Sequence, residues 1–325
     1  MSDLRIGLAG VGLHGWRYAD SLLKGTIPGA TLAAISRRDE KRGRELSEQY
    51  GVTYVGDPRE LATLSGLDAV IAVLPPDLHP PIALACLDAG RAILVEKPLA
   101  PDRRTAAAVV RKVNETGTPL MVAHTLRYDA VVEKVRREIP TLGALRVIAL
   151  NQRFEPTARD WIDTPGRGGA MLNTGVHGFD LMRYLTGAEA VSVMAESGNA
   201  VTRRTEDEFA CIVRLEPGGI LATLDNARAT EGRTGRIEVA GERGQIRADH
   251  VLRTFATIEG RTETLSEPVP QRHTVDEALR AFLACVREAT PPPITVEDGL
   301  AAVELVEACS ISARLGRRVL LDELR

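Results

Sequence analysis

Cysteine is sparse in this chain: four residues, Cys86, Cys211, Cys285 and Cys309, lie far apart with no Cys-x-x-Cys pair. That pattern excludes a disulfide framework or a thiolate zinc site and reads as small buried hydrophobes in a reducing compartment. No metal-ligand spacing is present. Charge of one sign is lacking too. The formal net charge is −3, so there is no electrostatic case for nucleic acid or for an anionic membrane as partner. No apolar run approaches membrane-spanning length. The strand pattern starts at Leu4, and the expectation is a cytoplasmic chain without a signal peptide. What remains is ordinary: 325 residues, 44% hydrophobic and 26% charged, enough for two domains and a core that needs no staples.

The first third alternates short apolar runs with helical stretches. "LRIGLAG" (4–10), "TLAAIS" (31–36), "DAVIAVL" (68–74), "AILVEKP" (92–98) and "LMVAHTL" (120–126) read as buried strands. "KRGRELSEQY" and "PPIALACLDAG" between them read as helices. This alternation predicts a doubly wound parallel sheet, a Rossmann domain over 1–122. From about 145 the strands are grouped without helices between them, with hairpin punctuation at Pro217-Gly218-Gly219 and from Gly241 to Gly244. Helical patterns return at 170–186, 276–289 and 297–314. Residues 123–325 are therefore expected to form an α+β domain on a large, mostly antiparallel open sheet. Packing of the C-terminal helix back on the first domain stays open.

"GLAGVGLHG" contains Gly10-Val11-Gly12-Leu13-His14-Gly15, a G-x-G-x-x-G directly after the first strand and before a helix-compatible run. Glycine there permits a tight turn, close approach of the backbone to a pyrophosphate, and packing of helix on strand. The helix start adds free N–H groups and a favourable dipole. The second strand ends in Ser36-Arg37-Arg38, where an NAD-type site would carry an acidic residue for the ribose 2′-hydroxyl. A hydroxyl and two guanidinium groups suit a 2′-phosphate. NADP(H) is therefore expected to be preferred, with NAD(H) as the alternative cofactor.

Ligands of doubly wound sheets sit beyond the carboxyl ends of the strands. Leu74, Pro75 and His79 follow one such end, and Glu96-Lys97-Pro98 another. Leu74, Pro75, His79, Glu96 and Lys97 join Gly10, Gly12, Leu13, His14, Gly15, Ser36, Arg37 and Arg38 as candidate dinucleotide contacts. A lysine at a buried strand end is costly unless paired or functional. Taken alone, Lys97 reads as readily as a surface residue opening a loop. "GAMLNTGVHGFD" (169–180) sets Asn173 and His177 four residues apart, on one face if the segment is helical.

Together these segments resemble the glucose-fructose oxidoreductase, inositol dehydrogenase and MocA family of NAD(P)-dependent oxidoreductases. The resemblance runs through "GLAGVGLHG", "LPPDLHPPIALACLDAGRAILVEKPLA", "HTLRYD", "GRGGAMLNTGVHGFDLMRYLTG" and "GERGQIRAD" to "PPPITVEDGLAAVELVEACSISARLGRRVLL". It implies a Rossmann domain followed by an α/β domain whose open sheet serves in oligomer contacts, as a homodimer or homotetramer. It also implies that Lys97 and His177 face the substrate carbon that exchanges hydride with the nicotinamide. The substrate class it implies is a sugar, sugar nucleotide, cyclitol or related polyol.

The family generally carries Asp-x-Gly-x-His where this chain has Asn173-Thr174-Gly175-Val176-His177. An amide can fix the ring's orientation or bind a substrate hydroxyl but supplies no charge. Weight therefore moves to Lys97 for proton transfer, with His177 as donor to the substrate oxygen or as base. Asp180 is read as a hydrogen-bonding helix residue, with orientation of the His177 ring as the alternative. His124, Arg127 and Trp161 are softer substrate contacts; an interdomain packing role for Trp161 is equally open, and Arg159 and Arg167 are available for an anionic group. The leading reading is an NADP-preferring dehydrogenase or reductase of a carbohydrate-like secondary alcohol or ketone. The alternatives are a dinucleotide-binding regulator without turnover and a cofactor-assisted glycosidase.

Overall fold

Short, fully apolar runs such as Ala69–Ala72 and Leu120–Ala123 bury every residue, as strands covered on both faces must. In the computed structural model, which describes residues 2–156 and 161–324, the chain divides into two compact units. The first is Met1–Thr125 with His273–Leu300; the second is Leu126–Arg272 with Ala301–Arg325.

The first unit holds a six-stranded parallel sheet of β1 (Leu4–Ala9), β2 (Ala30–Ser36), β3 (Thr53–Val55), β4 (Ala69–Ala72), β5 (Ala92–Glu96) and β6 (Leu120–Ala123). Their order is β3-β2-β1-β4-β5-β6, the doubly wound arrangement whose order reverses beside β1. The helices α1 (Gly15–Leu23), α2 (Glu40–Tyr50), α3 (His79–Asp88) and α4 (Arg103–Thr116) connect the strands. Asp39 and Asp102 cap α2 and α4 by accepting from backbone N–H groups three residues on. The segment 273–300 returns to this unit. Within it, the Ser21 hydroxyl of α1 donates to Asp276 at 2.6 Å, at the start of α7 (Thr274–Glu288).

The second unit is built on a nine-stranded sheet. Its strands are β7 (Leu145–Arg153), β8 (Glu189–Gly198), β9 (Glu208–Glu216), β10 (Ile220–Ala227), β11 (Thr234–Gly241), β12 (Gln245–Asp249), β13 (Thr254–Glu259), β14 (Thr262–Leu265) and β15 (Val319–Leu320). The order is β14-β13-β12-β11-β7-β10-β9-β8-β15. All pairings are antiparallel except β10 with β7, so the expected fold class holds in both units.

Alternation is strict along β9: Phe209, Cys211, Val213 and Leu215 are buried, while the residues between them face out. That inner face meets α5 (Ala130–Glu138), α6 (Val176–Thr186) and the second-unit part of α8 (Val296–Leu315) in one apolar cluster that includes Val132, Phe179, Met182 and Leu305. The other face is open, with Val147, Met194 and Ile212 exposed. Among the described residues no helix is long and apolar enough to cross a membrane.

Candidate active site

In the first unit, the turn after β1 explains its glycines separately. Gly10 has φ +92°, and a Cβ there would lie 2.1 Å from the Val73 carbonyl oxygen. At Gly15 a Cβ would lie 1.9 Å from the Gly10 carbonyl. These two glycines are required by the fold itself. Gly12 is different, because a Cβ would meet nothing within 4 Å. Its openness fits a group approaching from outside the protein, as the middle glycine of a dinucleotide turn must allow. The N–H groups of Gly10 and Val11 donate to the Ser36 carbonyl at 2.9 and 3.4 Å, clamping the turn to the end of β2. No side chain caps the first turn of α1, leaving it suited to phosphate. The residues present therefore fit a nicotinamide dinucleotide.

Arg37 lies across this turn and donates from Nη1 to the Val11 carbonyl; Arg38 is exposed. Leu13 is 80% exposed. Leu74 and Pro75 follow β4, and the Leu74 side chain closes on Gly10.

His14 does not cap α1. Its Nε2 lies 2.8 Å from Glu96 Oε1, and because an ionised carboxylate only accepts, Nε2 carries the proton. The Tyr18 hydroxyl donates to the same oxygen at 2.7 Å, and the Lys97 N–H donates to Oε2 at 3.1 Å. Burial alone would raise the Glu96 carboxyl. The His14 bond and charge, the Lys97 charge and the Tyr18 bond overcome it and hold the group at about 2. Burial, followed by the Glu96 charge and hydrogen bond, pushes the Tyr18 phenol well above its ordinary value. The buried Glu96 carboxylate thus joins the glycine turn and α1 to the backbone of Lys97. Tyr18 was not singled out from the sequence; a buried glutamate at a strand end, which needs donors, was the available signal.

His79 corrects an expectation. It is fully buried, with Nδ1 2.7 Å from the Pro98 carbonyl and Nε2 accepting from the Leu74 N–H at 3.2 Å. Both ring nitrogens are used, and burial lowers its pKa. The ring is a neutral brace between the two strand-end loops and has no nitrogen left to bind a dinucleotide. His124 is buried after the end of β6.

In the second unit, the Gly-rich approach to "LNTGVH" is dictated by packing. A Cβ at Gly168 would sit 1.8 Å from the Ile162 carbonyl oxygen, and one at Gly169 (φ +92°) 2.4 Å from the Glu206 carboxylate. That carboxylate accepts from the Met171 N–H at 2.9 Å. Burial raises its pKa, against the pull of this bond.

Met171–Gly175 is a π-turn leading directly into α6. The Thr174 hydroxyl lies 3.0 Å from Asn226 Oδ1, and Asn226 Nδ2 donates to Gln152 Oε1 at 2.9 Å. This buried amide ladder ties the π-turn to β10 and β7, and π-turns of this kind recur at functional sites. From Met171 to Met182, Asn173 and His177 alone escape full burial. Asn173 and His177 are thus the two half-buried positions of the stretch. The Asn173 Oδ1 accepts from Arg228 Nη1, and Arg228 was not singled out from the sequence.

Arg127 occupies a different place from the one expected. Its guanidinium grips both Asp180 oxygens (Nε–Oδ2 2.9 Å, Nη2–Oδ1 2.5 Å), with Arg127 8% and Asp180 1% exposed. It also lies 4.9 Å over the Tyr184 ring. This buried bidentate ion pair anchors α6. Trp161 stands partly exposed in the turn before Gly168. Arg167 shares that turn; Arg159 lies outside the described residues. A concavity of about 570 Å³, lined by Arg153, Glu196, Glu208 and Asp225 among others, includes neither Asn173 nor His177. Chemistry rather than volume marks the site.

Comparison with known proteins agrees with these two halves. Residues 4–124 match the model of the oxidoreductase family with an NAD-binding Rossmann fold, and residues 138–247 match the GFO/IDH/MocA C-terminal domain. The chain is 29% identical to a myo-inositol 2-dehydrogenase of Thermotoga maritima, over 99% of both chains. It is 27% identical to a scyllo-inositol 2-dehydrogenase (NAD(+)) of Bacillus subtilis, over 99% of this chain and 98% of that one. A crystal structure described as a probable dehydrogenase from Thermotoga maritima superimposes with a TM-score of 0.86 at 29% identity, covering 99% of this chain and 100% of the other.

Proposed function

The chain belongs to the GFO/IDH/MocA family of NAD(P)-dependent oxidoreductases, and on that premise we propose that it interconverts a secondary alcohol and a ketone on a cyclitol or related polyol. The observation that carries this reading is the half-buried Asn173–His177 pair in an otherwise buried stretch, Met171 to Met182, in a chain that also has an open dinucleotide turn. A bound nicotinamide dinucleotide supplies the hydride acceptor or donor.

The protein's own residues hold and move the proton. Lys97, whose backbone is fixed through Glu96, takes the hydroxyl proton in oxidation and returns it in reduction. His177, on the second unit, offers a ring nitrogen as donor to a substrate oxygen or as a base. Asn173, held by Arg228, orients a substrate hydroxyl.

We further propose NADP(H) as the preferred cofactor. The end of β2 offers Ser36, Arg37 and Arg38 and no carboxylate, which suits a 2′-phosphate. Assembly through the open sheet face, where Val147, Met194 and Ile212 are exposed, and a reducing cytoplasmic setting, matching four buried free thiols, complete the reading.

The test is dinucleotide reduction at 340 nm with a panel of cyclitols and sugars, run with NADP+ and NAD+ in parallel. Turnover with any panel member supports the oxidoreductase assignment, and tighter NADP+ binding supports the cofactor preference. Equal or tighter NAD+ binding refutes that preference.

A further inference from the structure

Residues 199–207 join β8 to β9 and run largely over the surface of the second unit, yet two carboxylates pin them. Asp207 accepts from the N–H groups of Ala200, Val201 and Thr202 at 2.6–2.8 Å. Asp163 accepts from those of Arg203, Arg204 and Thr205 at 2.7–3.2 Å. Every N–H from Ala200 to Thr205 is therefore held by a carboxylate, the stronger kind of acceptor.

The end of this segment holds the stretch that carries Asn173 and His177. Ala170 stands at the cap position of the π-turn and has no side chain for the N–H groups that a helical start leaves open. Glu206 supplies both acceptors. Its carbonyl takes the Ala170 N–H at 2.8 Å, and its carboxylate takes the Met171 N–H at 2.9 Å. A negative group at the start of a helix is also favoured by the aligned peptide dipoles. The next residue, Asp207, accepts the Arg228 N–H on its carbonyl at 2.7 Å, and Arg228 in turn reaches Asn173 Oδ1. Glu206 and Asp207 thus hold the backbone on both sides of the Asn173 amide.

We propose that Glu206 is a positioning residue of the candidate site: its carboxylate caps the π-turn and so fixes where Asn173 and His177 meet the substrate. Glu206 acts through the turn rather than on the substrate, and this role rests on the polyol oxidoreductase reading of the pair.

Two variants of the full-length protein separate the acceptor from the space it fills. Glu206→Met fills the space and removes the acceptor, whereas Glu206→Gln keeps an oxygen for the Met171 N–H. With the best polyol of the panel, Glu206→Met should lower kcat/KM by about tenfold to a hundredfold, the cost of a misplaced site. Glu206→Gln should recover most of that loss. Hydrogen exchange read by mass spectrometry should quicken across 169–177 in Glu206→Met and stay at the parent's rate in β7, β9 and β10.

Turnover of Glu206→Met within about twofold of the parent would overturn the role and leave the oxidoreductase reading standing. Equal losses in both variants would overturn it too, as would exchange that quickens through β7, β9 and β10 as well. Absence of all turnover in the parent would count against the oxidoreductase reading itself. Exchange across 169–177 then decides alone: a local increase in Glu206→Met supports the role, and the parent's rate overturns it. Should Glu206→Met fail to fold, Glu206→Gln carries the same exchange test, because a neutral acceptor is the weaker one. Faster local exchange than the parent's supports the role, and an unchanged rate overturns it.

Discussion

Replacing Glu96 with glutamine probes the link between the dinucleotide turn and Lys97. The carboxyl is held at about 2 against an ordinary 4.5, which corresponds to about 3 kcal/mol favouring the ionised form in the folded protein. Because the folded value is the depressed one, this contribution is complete above pH 4.5 and is lost as pH falls toward 2. Gln keeps the shape and removes the charge that accepts from His14 and Tyr18. Glu96→Gln should therefore lower stability by about 3 kcal/mol at pH 7. The gap from the parent should narrow to roughly half by pH 3. Urea unfolding followed by Trp16 fluorescence, in a Trp161→Phe background, reads the first unit alone, since the chain has 2 Trp. A gap under about 1 kcal/mol at pH 7, or one that does not change between pH 7 and pH 3, would refute the reasoning.

Two glycines of the dinucleotide turn should separate folding from binding. Gly12→Val should keep its thermal midpoint within about 2 °C while dinucleotide affinity falls about tenfold or more. Gly10→Ala should cost over about 2 kcal/mol, because it combines φ +92° with a Cβ 2.1 Å from a carbonyl oxygen. Calorimetry and dinucleotide titration check both. Asp180→Asn leaves Arg127 buried against an amide and should cost about 3 kcal/mol in urea unfolding of the second unit; under 1 kcal/mol would mean that the pair does not anchor α6.

The parallel sheet was legible because its strands are apolar runs with glycine-rich ends. "LRIGLAG" became Leu4–Ala9 and "TLAAIS" became Ala30–Ser36. The three-residue β3 was too short to show a period. In the second unit the alternating pattern announced strands, and Pro217-Gly218-Gly219 the hairpin joining β9 to β10. The parallel pairing of β10 with β7 joins residues 74 apart in sequence, such as Leu224 and Leu150, and no local pattern encodes that.

The candidate site was half visible. Lys97, Asn173 and His177 stood out as polar residues in apolar or helical surroundings. Tyr18, Glu206 and Arg228 did not, because their partners lie 78, 35 and 55 residues away. His79 and Arg127 were placed correctly at strand ends, yet their side chains turn inward to Pro98 and Asp180. Burial decides that outcome, and a histidine or arginine at a strand end reads alike in sequence whichever way it turns. The amide at 173, a puzzle beside His177, has a partner in Arg228.

The most direct test of the central claim is the rate of Lys97→Ala against the parent with the best polyol of the panel and saturating dinucleotide. The account predicts that kcat falls by about a hundredfold to ten-thousandfold, a larger loss than any in dinucleotide affinity, since the glycine turn suited to the phosphates is built without the Lys97 side chain. A variant that keeps its turnover would contradict it.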